Sequence, residues 1–400
     1  MTERLYQNNS YLFEFDAIVE SVVKKKSYYE IILDKSLFYP ESGGQNFDTG
    51  TLDNNKVIGV YSDDNDKIVH WCENWDATVG DKIVGVVDKD CRIANMRKHT
   101  GQHILSQAFL RLSSADTVGA HLGDTESTIE LATLKLTEDD LKSVENKSNE
   151  IILQNLPVII SYNEYDKLAD LGVRRIPDRQ GVFRLVGIGD FELTACGGTH
   201  CAFTGEIGLL KIIGVEKIRK HTRITFLCGS EAVKDYYQKH LIVEELSNHF
   251  TCHINNIESS IKKLADYNDD LKKEISRLRK ELLPYQLQNL KNNATETAGI
   301  KIISKVYSDY DFKNLKDLAL SITKEFKSIV LFSIEDKLII SVSDGIEHNA
   351  SLLTKSFIKQ FGGKGGGNPA IAQIGGIPVN NMETALLEFV ELIKKNIDRK

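Results

Sequence analysis

Up to about residue 90, apolar residues alternate with polar ones or run in short blocks. Tyr28–Leu33, Val57–Tyr61, Lys67–Trp71 and Lys82–Val87 read as strands, parted by turn clusters such as Asp63-Asp64-Asn65-Asp66. Closely spaced short strands predict a small β-barrel over residues 1–90. Near Arg97 the period becomes helical, with Ile104, Leu105, Ala108, Phe109 and Leu112 on one face. A helix over Glu138–Gln154 and strands around Val158–Ser161 and Phe183–Ile188 follow, so residues 91–230 are expected to form an α+β unit.

From Ala232 to about Leu290 the chain is polar, rich in Lys and Glu and free of glycine, with Leu264, Leu271, Ile275, Leu278 and Leu282 near heptad spacing. Pro284 interrupts this stretch and predicts a helical hairpin or a bent coiled coil over 231–292. Beyond Asn292-Asn293, strands at Ile300–Val306, Ser328–Phe332 and Leu338–Val342, a helix over Leu315–Phe326, a glycine run and a final helix predict an α/β unit over 293–400. The expected fold class is therefore α+β multidomain: N-terminal β-barrel, α+β domain, helical coiled-coil arm and C-terminal α/β domain.

A chain of 400 residues, 41% hydrophobic and 27% charged, has the composition of a globular protein with two or three domains. It holds no run of about 18 apolar residues and no apolar leader near Glu3 or the Gln7-Asn8-Asn9-Ser10 stretch, so no membrane span and a cytoplasmic location are expected. Cys72, Cys91, Cys196, Cys201, Cys228 and Cys252 are too scattered for a disulfide framework. The formal net charge of −7 argues against a broadly basic surface, so any contact with nucleic acid must be local.

The strongest chemical signal is His99-Thr100-Gly101-Gln102-His103, which sets two imidazoles one turn apart on a helix. His249 and His253, with Cys252 beside them, have the same spacing, so spacing alone selects nothing. Cys196-Gly197-Gly198-Thr199-His200 complements the first pair, because a thiolate and an imidazole flank glycines that let the backbone curl around an ion. Nitrogen and sulfur donors favour zinc, one ion per chain, held by His99, His103, Cys196 and His200. Four protein ligands would close the tetrahedron of a structural site, whereas a catalytic site keeps a position open. The expectation is that His99, His103 and Cys196 are firm ligands and His200 the labile or more distant one.

Together these motifs resemble the editing domain of alanyl-tRNA synthetase and its freestanding AlaX relatives. Phe38-Tyr39-Pro40-Glu41-Ser42-Gly43-Gly44-Gln45 with Asp48 and Gly50 resembles the glycine-rich turn of their barrel, and Thr204-Gly205-Glu206-Ile207-Gly208 follows the Cys196 motif as in that family. Phe361 to Pro369, then Ala372-Gln373 and Gly375-Gly376, is similar to the DHHA1 domain. The resemblance covers nearly the whole chain and implies the long, AlaX-L type: a zinc-binding editing domain and a DHHA1-like tRNA-binding domain.

It implies a zinc-dependent hydrolase that removes serine or glycine from mischarged alanine tRNA. Gln45 would orient a water or the tRNA end, and His121 would lie in the amino-acid pocket. Gly362, Gly363, Lys364, Gly365, Gly366 and Gly367 would contact tRNA through backbone N–H groups and a lysine charge, in what is otherwise a flexible loop. Gln102 is expected to support a ligand; Asp190 and Glu192 could orient a ligand imidazole or act as bases, or be simply a turn acid and a solvent-facing strand residue; Thr194 stands where the family often has a further cysteine. The basic cluster Lys272, Lys273, Arg277, Arg279 and Lys280, interspersed with Glu274 and Glu281, is read as a solvated face. A homodimer through the helical arm or the C-terminal domain is the expected assembly. Aminoacylation is not expected, since some 90 β-rich residues cannot hold a class II catalytic domain. Two rival readings stay open: a zinc hydrolase of small esters, and a non-catalytic tRNA-binding protein with structural zinc.

Overall fold

The computed structural model describes residues 1–378 and 382–398. Its chain divides into two compact units, Met1–Ile254 and Asn255–Lys400.

The first unit opens with β1 (Glu3–Arg4) and a short α1 (Leu5–Asn8). Next come β2 (Glu14–Lys24), β3 (Tyr29–Leu33), β4 (Lys35–Ser36), β5 (Gly50–Leu52), β6 (Asn55–Ser62), β7 (Ile68–Cys72) and β8 (Lys82–Val87). β2, β3, β7, β6, β5 and β8 close into a six-stranded barrel in that order. The inward faces alternate with outward ones, as along β8, where Ile83 and Val87 are buried. They meet Phe15, Leu33, Phe38 and Leu52 in the barrel core. β2 and β5 escape the sequence pattern: β2 exposes Ile18 and Val23, and β5 is three residues long.

Asp88 caps α2 (Lys89–Ser113), accepting from the backbone N–H groups of Asp90 and Cys91. The helix thus begins eight residues before Arg97. Its apolar face is as expected except for Leu112, which is half exposed. Arg92 is fully buried and ties the helix to the barrel: its guanidinium meets Asp48 at 2.6 Å and donates to the carbonyls of Ser10 and Leu37.

Around α2 lie β9 (Thr117–Leu122), β10 (Ser127–Leu131), α3 (Glu138–Leu153), β11 (Val158–Glu164), β12 (Val182–Ile188), β13 (Glu192–Ala195), β14 (Leu210–Ile218) and β15 (His221–Cys228). They form a four-stranded sheet, β14-β15-β10-β9, and a three-stranded one, β11-β12-β13. Ile104, Leu105 and Phe109 of α2 pack with Val144, Ile151, Ile224 and Phe226 into one core. The Thr204-Gly205-Glu206 motif is structural here: Thr204 Oγ1 donates to Ile151 O, and Glu206 accepts from Tyr11 Oη and two backbone N–H groups. α4 (Ser230–His249) ends this unit.

The second unit starts with α5 (Ile257–Asn292). The helical stretch is broken before it, where Thr251 takes a left-handed φ of 48°. Pro284 does not break it, and α5 runs through that residue unbroken. A proline that loses one backbone bond is tolerated here because Leu283, Leu287 and Leu290 on either side pack onto the domain core. That core belongs to β16 (Thr295–Thr297), β17 (Ile300–Tyr307), α6 (Phe312–Glu325), β18 (Ser328–Ile334), β19 (Lys337–Val342), α7 (Ala350–Phe361), β20 (Lys364–Gly367), β21 (Ile371–Gly375) and α8 (Met382–Asp398).

The six-stranded sheet runs β16-β17-β18-β19-β21-β20. The glycine run expected as a flexible loop is its edge strand: Lys364–Gly367 pairs antiparallel with Ile371–Gly375. Glycine is required at Gly365 and Gly367, where a Cβ would fall 2.0 and 2.3 Å from carbonyl oxygens of β21. Among the described residues no helix is long and apolar enough to cross a membrane.

Candidate metal centre

His99 and His103 project from the buried middle of α2, while Cys196 and His200 follow β13 on the loop that returns beneath the helix. Their four donor atoms lie within 4.8 Å of one another. Cys196 Sγ is 3.4 Å from both His99 Nε2 and His200 Nε2. A tetrahedral zinc with ordinary bond lengths would set such sulfur–nitrogen edges at about 3.5 Å. Gly198 makes this possible, since a Cβ there would fall 2.2 Å from His99 Cε1. Gly101 likewise lets α2 close onto β15, its absent Cβ being 2.5 Å from Cys228 Sγ.

The hydrogen bonds around the cluster decide which nitrogen each ring offers. Gln45 Oε1 accepts from Thr199 N–H at 3.2 Å, and Gln45 Nε2 meets Thr199 Oγ1 at 2.8 Å, which orients the amide. The same Oε1 is 2.7 Å from His99 Nδ1, so that nitrogen carries the proton and Nε2 the lone pair. Thr100 Oγ1 donates its one proton to Met96 O and accepts from Cys201 N–H, so at 3.2 Å from His200 Nδ1 it accepts again. His200 Nε2 is thereby left bare toward the cluster. His103 Nδ1 faces the buried carboxylate of Glu192 at 3.6 Å and has no hydrogen-bond partner. Each imidazole turns its Nδ1 to an oxygen and its Nε2 inward, which is how a protein presents histidines to a metal.

Burial holds all three imidazoles neutral. It lowers His99 to about 3, with Arg184 adding to the effect, and takes His103 and His200 well below their ordinary value. The same burial raises the Cys196 thiol. Neutral imidazoles and a thiol that needs a cation to stay ionised are the donor chemistry of a zinc site. Glu192 is lifted to about 8 by burial, against the pull of Arg174 and Arg111. Arg174 pairs with it at 3.0 Å.

A cavity of about 770 Å³ opens beside the cluster. His99, His103 and Cys196 form part of its wall with Gln102, Thr117, Val118, Arg174 and Arg175. His200 does not line it and is as close to Cys196 as His99 is. The expectation of a distant or labile His200 is corrected: Thr100 holds that ring from behind the cluster.

Other expected residues take different places. Gln45 is completely buried and its amide is bonded to His99 and Thr199, so it orients a ligand and presents no free amide to a water. His121 is exposed on β9 and lies outside the cavity lining, which that strand supplies from Thr117 to Ala120 instead. Gln102 lines the cavity but bonds to Ser106, not to a ligand. Of the two readings of Glu192, the solvent-facing one is corrected: it is 3% exposed and lies beside His103. His249 and His253 belong to no converging donor group among the described residues.

Sequence reasoning missed Arg184, whose guanidinium donates to Cys196 O at 2.7 Å while its own carbonyl accepts from Cys196 N–H at 3.1 Å. It also missed Thr117, whose hydroxyl is buried without a partner at the cavity wall. An arginine inside the apolar run Val182–Ile188 is the one signal that could have found Arg184, since four successive residues of β12 are buried without alternation; nothing local marks Thr117.

Comparison with known proteins gives three matching family models. They are described as threonyl and alanyl tRNA synthetase second additional domain (residues 183–224), tRNA synthetases class II (A) (residues 5–91) and DHHA1 domain (residues 299–395). The alanyl-tRNA editing protein AlaX-L of Pyrococcus horikoshii is 30% identical, over 93% of this chain and 94% of its own length. The alanine–tRNA ligase of Fervidobacterium nodosum is 31% identical over 92% of this chain, which spans only 44% of that enzyme. Among solved structures, the C-Ala domain of Aquifex aeolicus alanyl-tRNA synthetase aligns with 26% of this chain and 97% of its own, at 24% identity and a TM-score of 0.23.

Proposed function

The chain belongs to the AlaX-L family of alanyl-tRNA editing proteins, and from that premise we propose that it hydrolyses the ester of Ser-tRNA(Ala) or Gly-tRNA(Ala) with one zinc ion per chain. The observation that carries this reading is the convergence of three imidazoles and one sulfur, of which His99, His103 and Cys196 stand on the wall of a large cavity. A purely structural zinc has no need of a cavity of that size alongside it.

His99, His103, Cys196 and His200 would hold the ion. A bound zinc supplies positive charge that polarises a carbonyl or a water. The protein's own groups do the rest. Gln45 and Thr100 hold the His99 and His200 rings, Glu192 lies 3.6 Å from His103 Nδ1 where it would become that ring's partner on metal binding, and Arg184 fixes the Cys196 backbone. Arg175, exposed at the cavity rim, offers a guanidinium to the phosphates of the tRNA end. Thr117 replaces His121 as the candidate for the amino-acid pocket: it lines the cavity, and its buried, unpartnered hydroxyl would hydrogen-bond a serine side chain after a small rotation.

In the second unit, Lys364 is exposed on an edge strand whose glycines carry no side chains over their backbone N–H groups. That edge is our assignment for a second tRNA contact: Gly362 is not a donor, because its N–H bonds to Ile358 O, so backbone donors would come from those of Gly363, Gly365, Gly366 and Gly367 that turn away from β21.

The test is deacylation of mischarged alanine tRNA by the wild type and by Cys196→Ala, with zinc content measured in both. Zinc-loaded wild type should release serine or glycine while the variant loses both metal and activity. Turnover of free amino-acid esters at rates equal to mischarged tRNA would support the small-ester hydrolase instead. Binding of tRNA with zinc but no turnover would support a structural metal.

A further inference from the structure

The barrel supplies one part of the cavity wall, and two cations stand there against a single carboxylate. Arg4, Tyr6, Tyr39, Pro40 and Ser62 line this part. Arg4 is engaged through Nη2 alone, by Asp66 and, at 3.4 Å, by Ser62 Oγ. Its Nε is buried without a partner, although the side chain as a whole is 24% exposed. Arg184 does not line the cavity and is 8% exposed; Nη1 donates to Cys196 O, while Nε and Nη2 have no partner. Among the described residues no carboxylate pairs with Arg184. A buried guanidinium with idle donors is costly until an anion comes near it.

Contacts connect these groups to the donor cluster. The Tyr39 hydroxyl, which donates to Ser42 O at 3.1 Å, is raised by burial and then by the neighbouring Cys196. The Tyr39 ring meets Tyr6 edge-on, with centroids 5.3 Å apart. Burial pushes the Tyr6 hydroxyl up to about 12 against the pull of Arg4 and Arg184, so that oxygen lies near both cations and stays a donor at neutral pH. Among the described residues it has no hydrogen-bond partner. The order outward from the cluster is therefore Cys196, Tyr39, Tyr6, Arg4.

Burial also decides what such a wall can bind. At 4% and 1% exposure, Tyr39 and Tyr6 present no ring face on which a base could stack. What remains is a phenol donor beside a guanidinium, and charge-assisted donors of that kind suit a phosphate. In an aminoacyl nucleotide the 5′-phosphate lies one ribose away from the acylated hydroxyl.

We propose that Arg4 and Tyr6 form a phosphate subsite, which takes the 5′-phosphate of the terminal nucleotide while its aminoacyl ester lies at the donor cluster. Arg4 Nε joins the contact after a small rotation of the side chain, and Arg184 adds charge without touching the ligand. The inference rests on the deacylase reading and deepens it. A free amino-acid ester carries no such phosphate, so Arg4 and Tyr6 set a preference for the tRNA end over small esters.

Calorimetric titration of the zinc-loaded chain tests this with 3′-seryl-amido-3′-deoxyadenosine, an amide that resists hydrolysis, with and without a 5′-phosphate. The wild type should bind the phosphorylated form about tenfold tighter, and by a larger ratio at low salt. Arg4→Met and Tyr6→Phe should each lower that ratio several-fold, and the two together should bring it near one, with zinc content unchanged. Tyr6→Phe retains the ring that meets Tyr39, which separates the hydroxyl from packing. Arg175→Met, at the exposed rim, should leave most of the ratio in place. Equal affinity of the wild type for the two forms would overturn the proposal, as would a ratio lost in Arg175→Met and kept in the Arg4 and Tyr6 variants. Failure of both forms to bind would sink the deacylase reading itself and the subsite with it.

Discussion

Gln45 Oε1 lies 2.7 Å from His99 Nδ1, so a residue of the barrel's glycine-rich turn decides which nitrogen of a helix histidine faces the donor cluster. Gln45→Ala should lower zinc affinity about 10–100-fold, as loss of an orienting partner usually does. Gln45→Glu, which can still accept from both Thr199 N–H and His99 Nδ1–H, should keep more of it. Competition with a chromogenic chelator reads both; equal affinities for wild type and Gln45→Ala would refute the role.

The two glycines between Cys196 and His200 are not equivalent. A Cβ on Gly198 would fall 2.2 and 2.4 Å from the His99 ring, whereas one on Gly197 meets open space. Gly198→Ala should reduce zinc affinity at least tenfold and Gly197→Ala should hardly change it. Zinc titration of the two variants side by side checks this.

Asp48 and Arg92 form an ion pair with no solvent exposure between the barrel and α2. Removing one partner leaves the other charge buried, so Arg92→Met should destabilise the first unit by about 3–5 kcal/mol. Arg92→Met/Asp48→Asn should recover part of that loss. Urea unfolding of zinc-loaded protein, followed by tryptophan fluorescence, gives the comparison.

His70 is buried in the barrel between Ser36 Oγ and Ile31 O, and burial lowers it to about 4. A group depressed in the folded state contributes stability above its unfolded value of about 6.5, and that stability is lost as pH falls toward 4. The wild type should lose about 3 kcal/mol more than His70→Asn between pH 7 and pH 4, once each is measured without metal. Parallel pH profiles for the two proteins would contradict this.

Thr117 lines the cavity with a hydroxyl that is buried and unpartnered in the free protein, so a substrate hydroxyl would reach it only by a small side-chain rotation. Thr117→Val should cut kcat/KM for Ser-tRNA(Ala) about tenfold and leave Gly-tRNA(Ala) nearly unaffected. Equal losses on both substrates would point to a packing role.

Much of the fold was legible because burial imprints a period on the sequence. The alternation in Lys82–Val87 and the helical face of Ile104, Leu105, Ala108 and Phe109 read directly as β8 and α2. β2 was not legible, since it exposes Ile18 and Val23 on its outer face and blurs its alternation. The glycine run of β20 misled for a related reason: glycine carries no pattern, and its strand is dictated by the close approach of β21.

By itself the sequence determined the four donors, because a histidine pair one turn apart and a Cys-Gly-Gly-Thr-His loop are local features. It also determined the heptad of α5, which is a matter of spacing alone. Only the tertiary structure decided what surrounds those donors. Gln45 reaches His99 across 54 positions, His200 meets Thr100 across 100, and Glu192 is buried beside His103, where the sequence left an orienting and a solvent-facing role equally open. Such contacts depend on how the barrel, α2 and β13 pack together, and a hydrogen bond between distant segments leaves no periodic trace in either of them.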